Sequence, residues 1–453
     1  IYNQFFKFIF LVIFFKNHIN STPVYTIPEV YLSLHTMSNQ VSKPICIEQV
    51  NLSEEFLSKW NLLTKQYTCN QTKYTIYNAD KNYLCDTDRV RRIYNTVISD
   101  PDTKKIYNVG SPMATPTNLF DASVEDICVT ELIEGSMIYL FYDDRTSLWQ
   151  MSTTNAVGGT YSYFRENSVN AGKSKTFLQM VLESFREPDV KSIDDLVFLS
   201  CFDKQYCYGF VMQHPQNEMV QRISEPRMFL VSVTEIISQE AHTTAIRYVS
   251  RKEYESWDCF RNIENGVIYF PIITEEKTTL EDYKSMFQDS QTESSTMGIC
   301  ITNTITGERT EVINPNYKEA KEIRGNNFNL QFHYLCLMKL DKVNMFLKHF
   351  PHYRPLFFKY KEQLNRFITN LHQTYFGYYI SKSITGKIHK KYYYHISQIH
   401  RTIYLPSLEQ QEKKVIKRSV VASYVESLEP GVILHMINFE KTHDSSLALA
   451  SSS

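Results

Sequence analysis

The spacing of apolar positions divides the chain into a mixed first part and a helical second part. Between about residues 131 and 330, apolar runs of strand length alternate with polar turns, which is typical of an α+β fold. This pattern predicts strands at residues 137–142, 148–153, 196–201, 206–213 and 228–236, with a hairpin turn at 143–147. It also predicts helices at 176–186 and 280–288. Helical spacing places Phe177, Met180, Val181 and Phe185 on one face of the first helix.

Beyond about residue 334 the apolar positions recur at helical spacing. Four stripes lie within residues 340–350, 360–375, 396–403 and 421–428. Pro351, Pro406 and Pro430 are predicted to end the first, third and fourth of these helices. Apolar stripes of this kind normally face a core, so the second part is predicted to be a small all-helical domain.

These patterns predict the domain organisation. We expect an N-terminal part of the α+β domain at 37–130, its core at 131–333, a helical domain at 334–436 and a disordered tail at 437–453. Residues 1–36 are interpreted as an upstream extension, with Met37 as the true start. The apolar run at 5–15 is too short to span a membrane, which takes about 20 residues.

Positive and negative charges nearly cancel over the whole chain, but they are unevenly distributed along it. The formal net charge is −1, whereas residues 339–418 carry 16 lysines and arginines against 4 acidic residues, a formal +12. Lys387, Lys390 and Lys391 stand beside three tyrosines, and Arg401 follows. Cations next to aromatic rings suit phosphates and unstacked bases, so these four residues are predicted to bind RNA. The alternative is a solvated basic face that balances an acidic domain.

Cysteine and histidine positions do not indicate a metal site. The nine cysteines are scattered and none forms a Cys-x-x-Cys pair. The histidines of the basic domain lack the spacing of zinc ligands. We therefore expect no metal ligands, and reduced thiols in an intracellular, cytoplasmic protein.

Four segments follow one another in a fixed order along the mixed part. They are Leu-Ile-Glu-Gly at 132–135, Trp-Gln-Met-Ser-Thr-Thr from 149, Tyr-Gly-Phe-Val-Met-Gln-His-Pro-Gln-Asn-Glu-Met-Val at 208–220, and a closing stretch at 306–326. In this order they resemble the motifs of the covalent nucleotidyltransferases, which include RNA ligases, DNA ligases and capping enzymes. Together with the C-terminal helices, the series over roughly residues 105–435 is most similar to the RNA-ligase-like proteins of large DNA viruses. The resemblance implies an α+β nucleotidyltransferase domain of antiparallel sheets and helices, followed by the basic helical domain.

Some positions of the family's nucleotide site are retained. The resemblance implies nucleotide contacts from six residues: Glu134, Gly135, Ser152, Thr154, Phe210 and Gly298. Of these, Thr154 stands where the family has the arginine of Ser-Thr-Arg.

The chemically decisive positions are changed. The lysine that attacks the α-phosphate in the family is replaced by Leu132, and no lysine occurs between Lys105 and Lys173. The ribose-contacting glutamate falls at Val211 and the metal-facing glutamate at Met297. The arginine after Pro-x-Asn is replaced by Glu218, and the closing lysines fall around Glu311 and Ile313. No catalytic residue is therefore assigned.

These substitutions predict a catalytically degenerate, RNA-ligase-like viral protein that binds RNA and holds nucleotide weakly. One alternative is an active ligase that uses an unrecognised lysine, with ATP and Mg²⁺ as cofactors only in that case. A second alternative is a non-catalytic assembly or scaffold protein. The expected partners are RNA, nucleotide and viral proteins rather than a membrane, and the expected location is the cytoplasm or, for a virus, the viral factory of an infected cell.

Overall fold

The structure, a computed structural model, describes residues 46–80, 89–162, 175–261, 263, 266–274, 277–288, 291–326, 329–409 and 415–440. These residues all belong to one compact unit, Cys46–Ser453. The predicted extension at 1–36 and residues 441–453 of the predicted tail lie outside the described residues.

Strands of the described residues form three antiparallel sheets. The main sheet has the order β1-β12-β11-β10-β7-β8-β9, the N-terminal sheet the order β2-β3-β4-β5, and the small sheet the order β14-β13-β6. The strands are β1 (Glu48–Asn51), β2 (Leu63–Cys69), β3 (Thr72–Asn78), β4 (Val97–Ser99), β5 (Ile106–Asn108), β6 (Ile127–Glu131), β7 (Ser136–Asp143), β8 (Leu148–Thr153), β9 (Ala156–Val157), β10 (Tyr206–Gln213), β11 (Arg227–Glu240), β12 (Thr243–Val249), β13 (Gly298–Asn303) and β14 (Arg309–Ile313).

Short helices connect strands in the mixed part, and most of the longer helices lie in the C-terminal part. Those of the mixed part are α1 (Glu54–Trp60), α2 (Arg89–Arg92), α3 (Phe177–Ser184), α4 (Arg251–Tyr254), α5 (Asp258–Arg261) and α6 (Leu280–Lys284). Those of the helical part are α7 (Pro315–Arg324), α8 (Leu330–Lys339), α9 (Val343–His349), α10 (Arg354–Tyr375), α11 (Lys390–Ile399), α12 (Leu405–Glu409), α13 (Arg418–Ser427) and α14 (Pro430–Ile437). The predicted α+β class with a helical C-terminal part is confirmed.

Most of the predicted strands are present. The hairpin of β7 and β8 and the strand β10 lie where the alternation places them, and β11 extends beyond its predicted bounds. The predicted strand at 196–201 is wrong, because this segment forms a 3₁₀ turn, Val197–Cys201. Its buried residues, Leu196, Leu199 and Phe202, recur every three positions, which is the 3₁₀ period rather than the strand period.

One proline prediction in the helical part is also wrong. Pro406 lies inside α12, which follows directly on a π-helical turn at His400–Tyr404. The helix α13 ends at Ser427, before Pro430 as predicted, and Pro430 itself begins α14, because a first-turn residue has no intrahelical use for its N–H. The helix α14 runs to Ile437, and Glu440 still lies 3.6 Å from the ammonium of Lys391.

Successive side chains of a strand point to opposite faces of its sheet. In both the main sheet and the small sheet, one of these two faces packs in an apolar core. In the main sheet, Ile138, Leu140 and Phe210 pack against the apolar face of α3. In the small sheet, Val129 and Ile301 pack in a cluster with Phe120, Tyr283 and Phe287. The opposite faces of these two sheets are therefore free to line a cavity between them.

The helical part has its own apolar core, built around α10. Leu364, Phe367 and Leu371 are buried there among residues of α7 to α11, α13 and α14. The cluster already includes Ala320 and Ile323, so it begins upstream of the predicted boundary at residue 334. Among the described residues, no helix has the length and apolar character that crossing a membrane requires.

Candidate functional site

A cavity of about 270 Å³ lies between the main sheet and the small sheet, and we refer to it as the inter-sheet cavity. It is lined by alternate residues of both sheets and by the segment that links β6 to β7. Its lining includes Ser111, Cys128, Thr130, Glu131, Leu132, Gly135, Met137, Val211, Val231, Ser232, Val233, Tyr248, Arg251, Met297, Cys300, Thr302, Arg309 and Glu311.

Four of the changed positions meet in this cavity. Leu132, Val211, Met297 and Glu311 all line it, although they are spread over about 180 positions of sequence. They are the positions to which the resemblance carries the nucleophilic lysine, the two glutamates and a closing lysine. Their convergence agrees with the residue register drawn from the sequence.

Sheet geometry explains why these residues face the cavity. Val211 follows the core residue Phe210 on β10, so its side chain points to the opposite face of the main sheet. In the small sheet, Cys300 pairs with Thr130 on one side and Glu311 on the other, and all three line the cavity. The alternate residues Val129 and Ile301 are in the core.

The segment Leu132–Gly135 crosses from one sheet to the other. The amide of Leu132 donates to the carbonyl of Gly298 at 2.9 Å, which extends the pairing of the small sheet. A Cβ on Gly135 would lie 2.3 Å from the carbonyl oxygen of Met212, so only glycine permits this approach to β10. Gly298 must also be glycine, because its φ is +147° and a Cβ there would lie 2.2 Å from the carbonyl oxygen of Val312.

Glu134 is buried and turns away from the cavity. Its carboxylate accepts hydrogen bonds from the backbone amides of Met219, Val220 and Gln221 at 2.9–3.2 Å. Burial, followed by the neighbouring Glu134 carboxylate, raises the pKa of the Tyr317 hydroxyl from α7. Glu134 thus anchors the loop after the Pro-x-Asn segment rather than facing a ligand.

The remaining predicted nucleotide contacts are not brought together. Ser152 is fully buried on β8, and Phe210 packs edge-on against Phe185 in the core. Gly298 contributes backbone next to the cavity. Thr154 lines a second cavity, of about 520 Å³, together with Lys65, Arg324 and the family-divergent Glu218. The carboxylate of Glu218 accepts from the amide of Ile223 at 3.1 Å, so it also holds a turn. The structure thus places only Gly135 of the six in the inter-sheet cavity.

Both arginines of the cavity already have carboxylate partners. Arg309 forms an ion pair with Glu311, two positions along the same strand. Arg251 holds Glu255 through two hydrogen bonds of 3.0 and 3.2 Å. Sequence reasoning did not single out Arg251, because it follows β12 in a short helix without any motif.

The carboxylates of the cavity already have partners within the protein. Glu131 accepts from the amide of Ile272 at 2.9 Å, and Glu311 is held by Arg309. Within the described ranges, no group of three His, Cys, Asp or Glu residues is arranged to hold a metal ion.

The basic helical part presents a separate surface, which we call the tyrosine-lysine surface. It is a depression of about 380 Å³ lined by Tyr378, Lys387, Lys390, Tyr393 and Tyr394. The rings of Tyr393 and Tyr394 are 58% and 60% exposed, at the start of α11. Exposed rings beside exposed cations form a stacking platform for unpaired bases.

The other two predicted RNA contacts lie elsewhere. The side chain of Lys391 is only 11% exposed, pairs with Glu440 and lies 5.7 Å from the ring centre of Phe367. Arg401 is exposed on the π-helical turn outside the depression. Two of the four predicted RNA-binding residues thus share one surface.

Comparison with known proteins gives one sequence relative and several partial structural likenesses. No family model matches the chain. An RNA ligase of Rhodothermus phage RM378 is 23% identical over 114 residues, which is 25% of this chain and 24% of the phage protein. The match thus spans about a quarter of the length of that relative.

Two solved structures overlap with a larger part of the chain. An archaeal ATP-dependent RNA ligase gives a TM-score of 0.36 at 8% identity and covers 63% of this chain and 66% of its own. An RNA ligase of Naegleria gruberi with ATP and Mn gives 0.29 at 13% identity and covers 59% and 83%. Both overlaps are partial. The sequence match supports the resemblance to RNA ligases that the motifs indicate.

Proposed function

We propose that this chain is a catalytically degenerate RNA-ligase-like protein. It binds RNA through its basic helical part and holds nucleotide weakly, without covalent transfer. The observation that carries the proposal is the position of Leu132 in the inter-sheet cavity, next to three further positions that have lost the family's charged groups. A leucine side chain has no lone pair with which to attack a phosphate.

The loss extends beyond the nucleophile. Nucleotidyl transfer depends on cations that stabilise the charge on the phosphates, and Met297 and Glu311 provide none. By analogy with oxyanion-site deletions, each missing stabilising group costs about 2.7–4 kcal/mol of transition-state stabilisation. A single compensating substitution elsewhere would therefore not restore activity.

The alternative of an unrecognised lysine finds no support in the cavity. None of the described residues that line it is a lysine, and its two arginines are paired with Glu255 and Glu311. Arginine stays protonated at neutral pH and is not a nucleophile. These contacts favour the degenerate interpretation over the active one.

RNA binding is supported by the tyrosine-lysine surface and by the excess positive charge of residues 339–418. The sequence relative is a phage protein, which supports extending the proposal to a viral protein. A purely structural scaffold would not need exposed tyrosines beside exposed lysines in this arrangement.

One assay tests both halves of the proposal. The purified chain is incubated with 5′-phosphorylated single-stranded RNA, ATP and Mg²⁺, and the products are resolved on a denaturing gel, with an active RNA ligase as positive control. In parallel, RNA retention is measured from low to high salt. We expect neither joined nor circular RNA, and retention that weakens as salt rises. Ligated product, or retention that does not depend on salt, would contradict the proposal.

A further inference from the structure

The two walls of the inter-sheet cavity differ in chemistry. The main sheet contributes a mostly apolar wall, with Met137, Val211 and Val231 beside Ser232. The small sheet contributes a polar wall, with Thr130, Thr302, Arg309 and Glu311. An apolar wall facing a hydrogen-bonding wall is suited to a flat heterocycle that is polar at its edge.

Charge within the lining is balanced. Arg251 and Arg309 are the cations, and Glu131 and Glu311 are the carboxylates. Each arginine already has a carboxylate partner, so the lining has no unpaired cation to balance a phosphate chain. Placing several negative charges in this enclosed site would cost free energy that no lining group returns.

Buried hydrogen-bonding groups of the lining nevertheless lack partners. The hydroxyls of Ser111 and Tyr248, Nη1 of Arg251 and Nε of Arg309 are buried and make no hydrogen bond within the described structure. A buried polar group without a partner costs about 1–3 kcal/mol, so such groups usually meet water or a ligand. These four can all donate, which favours a ligand rich in acceptor atoms.

We propose that the inter-sheet cavity binds an uncharged heterocycle of nucleoside size, and that it discriminates against the corresponding triphosphate. The inference rests on the proposed function, because it takes this cavity as the former nucleotide site. The base lies against Val211 and Met137, and the acceptors of the base and sugar meet the buried donors of Ser111, Tyr248, Arg251 and Arg309. The cavity volume of about 270 Å³ lies close to the lower end of small-molecule sites, roughly 300 Å³, which suits a nucleoside better than the longer triphosphate.

The test compares ligands on the unmodified chain. Adenosine, guanosine, cytidine and uridine, and the triphosphate of each, are titrated by calorimetry without added metal and then with Mg²⁺. We expect at least one nucleoside to bind roughly tenfold or more tightly than its own triphosphate. Equal or tighter binding of the triphosphate, or no nucleoside binding by folded protein, would overturn the inference.

Two variants locate the site. Val211→Trp fills the apolar wall and is expected to abolish nucleoside binding. Leu132→Lys adds a cation to the lining without breaking an ion pair, so it is expected to improve triphosphate binding at least several-fold. Thermal unfolding of both variants checks that they fold, and Leu132→Lys remains informative if Val211→Trp does not. An unchanged preference in folded Leu132→Lys would contradict the charge argument.

Failure of this inference is separate from failure of the proposed function. A covalent nucleotide adduct or ligated RNA would refute the degenerate centre whatever the ligand preference. A triphosphate preference without any adduct would refute only the inference about the ligand.

Discussion

The carboxylate of Glu134 accepts two hydrogen bonds from the backbone amide of Val220, at 2.9 and 3.1 Å. The same carboxylate also accepts from Met219 and Gln221, so one buried side chain closes a loop 85 positions further along the chain. The acid of the Glu-Gly pair is therefore retained for a structural reason. Its retention carries no information about catalysis.

Glu134→Gln should destabilise the fold. The substitution replaces one carboxylate oxygen, which accepts from the amides of Val220 and Gln221, by an NH2 donor, and the meeting of donors costs about 1–3 kcal/mol in the free energy of unfolding. Urea denaturation measures this loss. Glu125→Gln, in an exposed turn, is the matched control and should change stability by no more than about 0.5 kcal/mol. A Glu134→Gln protein as stable as the control would show that the loop does not depend on this anchor.

The double substitution Lys387→Ala with Lys390→Ala should weaken RNA binding and its dependence on salt. Each lysine–phosphate interaction that is lost makes the slope of log K against log salt shallower by about 0.7 for single-stranded RNA. The double variant, which removes two lysines, should therefore change the slope by about 1.4. Filter binding over a salt series gives the slope directly. Lys359→Ala, an exposed lysine on α10 outside the depression, is the control. Equal slopes for the double variant and the wild type would remove these lysines from the interface.

Replacing Tyr393 and Tyr394 by alanine should weaken RNA binding without changing its dependence on salt, unlike the lysine substitutions. Stacking contributes about 1–3 kcal/mol per base and involves no counterion, so affinity for single-stranded RNA should fall while the salt slope stays constant. Both rings are more than half exposed, so the variants should keep their stability. Duplex RNA, whose bases are already stacked, should lose less affinity. The idea fails if single-stranded and duplex RNA are affected alike.

His214 should make stability fall under mildly acidic conditions. Its Nδ1 accepts from the amide of Gln216 at 3.0 Å, so the neutral ring carries its proton on Nε2, which lies 3.0 Å from Glu183. Burial lowers the pKa of His214, although the Glu183 carboxylate acts in the opposite direction. The unfolded chain therefore binds more protons than the folded chain below pH of about 6.5.

The contribution of the neutral His214 ring to the free energy of unfolding is therefore complete above a pH of about 6.5. This contribution declines as the pH falls below that value. Burial also lowers the pKa of His333 and His395, which adds to the same trend. Denaturation midpoints between pH 7.5 and 5.5 measure it. His214→Gln should show a shallower decline, with His242→Gln at an exposed position as control. A stability that rises on acidification would contradict the buried neutral ring.

Much of the fold was predictable because local patterns agree with it. Alternation placed β7, β8 and β10, and the apolar face of α3 was identified residue by residue. The failures occurred where a pattern has two physical meanings. A continuous apolar run at 196–201 suits a strand or a tight helix, and Pro406 can end one helix or lie in the first turn of the next.

The site was predictable only in part. The positions of Leu132, Val211, Met297 and Glu311 followed from the motif series and meet in one cavity. The direction of the Glu134 side chain did not follow, because its partners lie on a loop 85 positions away. Arg251 was missed because only the fold brings it to the cavity.

The most direct test of the central claim is covalent labelling. The full chain is incubated with α-³²P-ATP, and separately with α-³²P-GTP, in the presence of Mg²⁺ or Mn²⁺, and run on a denaturing gel beside an active RNA ligase. Because Leu132 occupies the nucleophile's place and no described lysine lines the cavity, we predict no labelled band with either nucleotide. A labelled band that is acid-labile and alkali-stable would reveal a lysine phosphoramidate and contradict the degenerate centre.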